Sequence, residues 1–62
     1  MHMSEFYVRR EARRLIERLG EAALGEARAK VRESRAREDM LASDTWLRII
    51  AAIEEMSRAP TP

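Results

Sequence analysis

The chain has few side chains that could carry out catalysis, and their spacing does not bring them together. Six Ser and Thr hydroxyls are present, but the only His is His2 and there is no Cys. No hydroxyl therefore has the neighbouring base that a nucleophile needs. The adjacent carboxylates Glu54 and Glu55, like Glu38 and Asp39, would point about 100° apart on a helix rather than toward one metal ion or water. We expect no enzymatic activity, no cofactor and no metal site.

A basic segment over residues 28–37, with the sequence RAKVRESRAR, gives the strongest charge pattern. On a helix, Arg28, Arg32 and Arg35 share one face, from which each side chain could contact a phosphate. Four acidic residues nevertheless accompany five basic ones in the window 26–39, and no aromatic residue lies there to stack on bases. Nucleic-acid binding by these three arginines is therefore the alternative function and not the favoured one.

Large apolar residues recur at helical spacing in two stripes. Trp46 is the only Trp of the chain, and Trp is common both in cores and at the centres of protein interfaces. Each stripe would lie on one face of a helix. We expect packing or self-association through six residues of these stripes: Leu15, Leu19, Trp46, Ile49, Ile50 and Ile53.

The elements that must position these residues are helices. Apolar residues return every three or four positions, and no stretch alternates apolar with polar residues as a strand does. Ser4 is a suitable N-cap for the first helix, Gly20 could end it at a positive φ, and Asp39 could cap the last one. The pattern predicts an all-α domain of three helices at about 5–19, 21–36 and 39–58.

A long helical hairpin is the alternative architecture. In it residues 5–37 form one helix that runs through Gly20 and Gly25, at a propensity cost of about 2 kcal/mol. We favour the break at Gly20, because three shorter helices enclose a core and two long ones in a lone hairpin scarcely do.

The two ends of the chain carry no helical pattern. Residues 1–4 are expected to form a disordered tail, or a cloning remnant, and residues 59–62, with Pro60 and Pro62, a second disordered tail. The N-terminal residues lack the apolar core of a signal peptide, and the longest apolar run inland spans only residues 49–53. We expect a cytoplasmic protein that does not interact with membranes.

The pattern A-x-x-L-I-E-R-L-G-E-x-A-L runs from Ala12 to Leu24, and Asp39 precedes Trp46 and the sequence I-I-A-A-I. Over residues 12–56 the chain resembles a group of short, uncharacterised all-helical proteins from proteobacteria. In that group a Gly-acid turn follows the first helix, and an Asp precedes a Trp-bearing last helix. The resemblance implies a helical fold and a bacterial cytoplasmic setting, but no activity. This chain departs from the pattern at Glu38, where a Gly would be expected before the Asp.

The small size of the chain and its low net charge restrict the partners that it could bind. The chain has 62 residues and a formal net charge of +1, so no overall field favours nucleic acid or anionic lipid. Chains below about 70–80 residues without a disulfide or metal rarely bury enough apolar surface to be stable alone. We therefore expect a homodimeric helical bundle that acts as a non-enzymatic protein–protein interaction or regulatory module through self-association, with a further protein partner possible.

Overall fold

The protein is built from helices. A computed structural model describes residues 4–58. Residues 1–3 of the tail predicted at 1–4, and the whole tail predicted at 59–62, therefore lie outside the described residues. Helix α1 spans Glu5–Leu19, a 3₁₀ turn spans Gly20–Ala22, α2 spans Ala23–Ala36 and α3 spans Met40–Ser57. No strand occurs within residues 4–58. The predicted all-α class is confirmed.

Helix α1 begins at Glu5, directly after the residue that the sequence predicted as its cap. The Ser4 hydroxyl accepts a hydrogen bond of 3.1 Å from the backbone N–H of Tyr7, which satisfies one of the free donors of the first turn. Glu5 places a negative charge near the positive end of the helix dipole. Ser4 is thus part of the helix start rather than part of a tail.

The alternative of one long helix from 5 to 37 is wrong, because the chain turns at Gly20. This residue has φ 57° and ψ −125°, a combination that a residue with a Cβ rarely adopts, and its N–H donates to the Ile16 carbonyl. The 3₁₀ turn follows directly, so α2 begins at Ala23, two residues later than predicted. Gly25 lies inside α2 and does not interrupt it.

A tight turn joins α2 to α3. The Asp39 N–H donates to the Ser34 carbonyl (2.8 Å) and the Glu38 N–H to the Arg35 carbonyl (2.9 Å), the pairing of a Schellman motif. Glu38 takes the positive φ (59°) that this motif requires. The Asp39 side chain then accepts from the Ala42 N–H and caps α3. Such a short connection makes the two packed helices antiparallel.

The core lies where the three helices meet. Small side chains allow close approach of the helices, since Ala12, Ala23, Ala27 and Ala52 are all buried. Four larger residues complete the buried cluster: Val8, Leu15, Ile49 and Ile53. One copy of the chain therefore encloses an apolar core of modest size, because alanine-lined helices leave little space between them.

Ion pairs join α1 to α3 at the rim of this core. Arg48 donates to Glu5 at 3.1 Å, and Arg9 donates to Glu55 at 3.2 Å. All four side chains remain substantially exposed, so each pair contributes at most about 1 kcal/mol. They link α1 to α3 where the two helices cross.

Candidate interaction surface

The structure divides the six residues predicted for packing or self-association into two groups. Leu15, Ile49 and Ile53 are buried within one copy of the chain. A second copy could contact them only if the core opened, so the predicted interface is revised at these three positions. The other three side chains are half-buried at the edge of the core: Leu19, Trp46 and Ile50.

Four large apolar side chains lie outside the core. Phe6 is 76% exposed, Met40 64%, Leu41 61% and Leu47 42%. Single exposed apolar residues are common, whereas apolar residues that lie together on the surface often mark a contact surface.

A groove lies between α1 and the first half of α3 and holds about 310 Å³. Its walls are largely apolar, with Tyr7 on the α1 side and Leu41, Trp46 and Ile49 on the α3 side. Sequence reasoning missed this α1–α3 groove. Tyr7 stands one position away from the apolar stripe of α1, and only the crossing of the two helices brings it opposite Leu41.

The polar residues of the α1–α3 groove give it an acidic character. Glu11 and Asp39 line it together with Thr45. The Thr45 hydroxyl donates to the Leu41 carbonyl within α3, and Asp39 caps the helix. Glu11 is paired at 3.6 Å with Arg14, whose side chain is 62% exposed. The groove therefore offers apolar walls with two carboxylates at the edge, which suits a side chain that combines apolar and cationic parts.

Part of the positive charge on the basic face of α2 is paired with neighbouring carboxylates. Arg28 lies 4.0 Å from Glu54 of α3, and Lys30 pairs with Glu26 and Glu33. Arg32 and Arg35 are exposed and make no ion pair among the residues of the described chain. Two of the three arginines predicted for phosphate contact thus remain available.

The described helices contain no arrangement suited to metal or membrane chemistry. Among residues 4–58, no three His, Cys, Asp or Glu side chains come together as a possible metal site. In the same range, no helix is both long and apolar enough to cross a bilayer.

Comparison of the chain with models of protein families, with curated proteins and with solved structures gave no match.

Proposed function

We propose that the protein is a non-enzymatic interaction module that self-associates as a homodimer through the surface around the α1–α3 groove. The main support for this proposal is that apolar side chains accessible to solvent line the α1–α3 groove. Leu41 is largely exposed, Tyr7 and Trp46 are half-buried, and all three line one groove.

The physical reason is the hydrophobic effect at this surface. Removing apolar area from water stabilises a complex by roughly 25 cal/mol per Å², and aromatic residues in a pocket often contribute most of the affinity at an interface. Homodimers with two-fold symmetry are the commonest oligomers, and each copy then offers the same surface. The dimer would not complete the core, as the sequence had suggested, but would cover a groove on its outside.

The test is the mass in solution. Light scattering at tens of micromolar is expected to give twice the 7.2 kDa of one chain. Leu41→Ser is expected to return the mass to that of one chain, since it places a hydroxyl in the groove. Leu47→Ser is the matched control, because Leu47 is exposed but lies outside the groove. A wild-type mass of 7.2 kDa at every concentration would exclude the proposal.

Nucleic-acid binding is a second candidate, supported by the exposed guanidinium groups of Arg32 and Arg35, which make no ion pair with the described residues 4–58. Binding through them would be strongly salt-dependent, because phosphate contacts release counterions. Replacing both with Gln is expected to reduce the slope of the logarithm of the binding constant against the logarithm of the salt concentration. The reduction should correspond to the loss of about two phosphate contacts. Unchanged mobility of a duplex and of a single-stranded RNA at low salt, with excess protein, excludes this candidate and leaves the first untouched.

A further inference from the structure

Phe6 is the most exposed large apolar side chain of the described residues, at 76%. It projects from α1 between Arg9, Arg10 and Arg13, which line a shallow depression with it. Phe6, Arg10 and Arg13 are called the Phe6 ridge below. An aromatic ring with this exposure gains little from its own fold, and exposed apolar groups of this size often mark a contact surface.

The charges of the Phe6 ridge are not paired with carboxylates of residues 4–58. Arg10 and Arg13 are exposed and form no ion pair with any residue in the range 4–58. The α1–α3 groove has the opposite character, with Glu11 and Asp39 beside its apolar walls. The ridge presents an aromatic ring between two cations, and the groove presents aromatic walls beside two carboxylates. Their charges are complementary.

The ridge and the groove are also close enough to be used together. Phe6 and Tyr7 are consecutive residues of α1 whose side chains point about 100° apart, so the ridge lies on the face of the helix next to the face that lines the groove. In a dimer with two-fold symmetry, the ridge of each copy can therefore bind the groove of the other copy, and the two equivalent contacts form one interface. The groove volume of about 310 Å³ leaves room for a phenyl ring.

We infer that the α1–α3 groove of one copy holds Phe6 of a second copy, with the ring against Tyr7, Leu41 and Trp46. Arg10 and Arg13 of the second copy then approach Glu11 and Asp39 of the first. This inference rests on the proposed homodimer and specifies its contacts.

Truncation of the aromatic ring gives the first test. Phe6→Ala is expected to raise the dimer dissociation constant by about 30-fold or more, the scale of an interface hot spot. Leu47→Ala is expected to change it less than about threefold, as is usual for a residue outside the contact. Both positions are exposed, so the fold should persist, and circular dichroism checks that it does.

Trp46 supplies an independent signal for occupancy of the groove. It is the only Trp and it lines the groove, so its emission should shift to shorter wavelength as wild-type protein is concentrated and water leaves the ring. In Phe6→Ala the emission should stay constant over the same range. A wild-type emission that does not change while the mass doubles would show that the dimer leaves the groove open.

A charge exchange tests the pairing itself. Glu11→Arg alone and Arg13→Glu alone are each expected to weaken the dimer by about tenfold, since like charges would face each other. An equimolar mixture of the two variants is expected to regain wild-type affinity, because both halves of the mixed dimer then pair opposite charges. The double variant in one chain, E11R/R13E, should regain it as well.

The outcomes separate this inference from the proposed function. A monomeric wild-type protein removes both. A wild-type dimer that survives Phe6→Ala unchanged, or a mixture that dissociates as readily as either single variant, overturns the inference and leaves self-association standing through another face. A groove covered by residues 1–3 or 59–62 of the same chain would give a blue-shifted emission independent of concentration, and it also overturns the inference.

Discussion

Two buried serines differ in how their hydroxyls are bonded. Ser34, in α2, donates to the Lys30 carbonyl at 2.8 Å. Ser43, in α3, is as deeply buried, but its hydroxyl has no hydrogen-bond partner among the described residues. A buried hydroxyl without a partner costs about 1–3 kcal/mol. Ser43 therefore lowers the stability of a small domain while keeping the side chain short at a helix contact.

Ser43→Ala is expected to raise the free energy of unfolding by about 1 kcal/mol, because it removes the unbonded hydroxyl without adding volume. Urea unfolding followed by circular dichroism measures this as a higher midpoint at an unchanged slope. Ser34→Ala is the control and should give no gain, since its hydroxyl is already bonded. Equal gains for the two variants would contradict this explanation.

At the scale of the elements, the connections decide the architecture. Gly20 ends α1 and separates it from α2, and Glu38 and Asp39 form the turn between α2 and α3. Glu38 takes a positive φ (59°), a conformation that glycine adopts without steric cost.

The two glycines should respond oppositely to the same substitution. Gly20→Ala is expected to lower the free energy of unfolding by about 1–3 kcal/mol, because φ 57° is strained for any residue with a Cβ. Gly25→Ala should raise it by about 0.5–1 kcal/mol, since a Cβ at this helical position meets no atom within 4 Å. Thermal unfolding of both variants measures the two effects, and a stabilising Gly20→Ala would contradict the turn.

The turn between α2 and α3 offers a complementary prediction. Glu38→Gly is expected to stabilise the protein by about 0.5–1 kcal/mol, because it relieves a left-handed residue that carries a Cβ. Glu38→Ala keeps that conformation and removes only the charge, so it should give no such gain. Thermal melts of the two variants side by side distinguish backbone relief from an effect of charge. If Ala stabilises as much as Gly, relief of the backbone is not the cause.

The sequence predicts elements better than it predicts surfaces. The bounds of α1 follow from Ser4 and Gly20, whose roles depend on local backbone chemistry. The groove depends instead on the angle at which α1 crosses α3, which is set by contacts between residues distant in the chain. For the same reason, the stripe that contains Trp46 and Ile49 did not reveal which side chain would be buried and which would line a surface.

At the scale of the whole molecule, charge is distributed unevenly among the helices. Helix α1 has five arginines and three glutamates, whereas α3 has three acidic residues and a single arginine. The overall charge of +1 conceals this difference. The Phe6 ridge lies on α1, whereas the acidic edge of the groove is formed by Glu11 of α1 and by Asp39, the N-cap of α3. Together the two surfaces favour a second copy of the chain as the partner.

Small-angle X-ray scattering of the wild-type protein at tens of micromolar tests the central claim most directly, because it reports mass and dimensions together. The proposed dimer predicts that the forward scattering gives a mass of twice 7.2 kDa. Its radius of gyration should be about 14 Å from chain-length scaling, compared with 11.7 Å for one copy. A particle of 7.2 kDa with a radius near that of the single copy, at every concentration, would contradict the account.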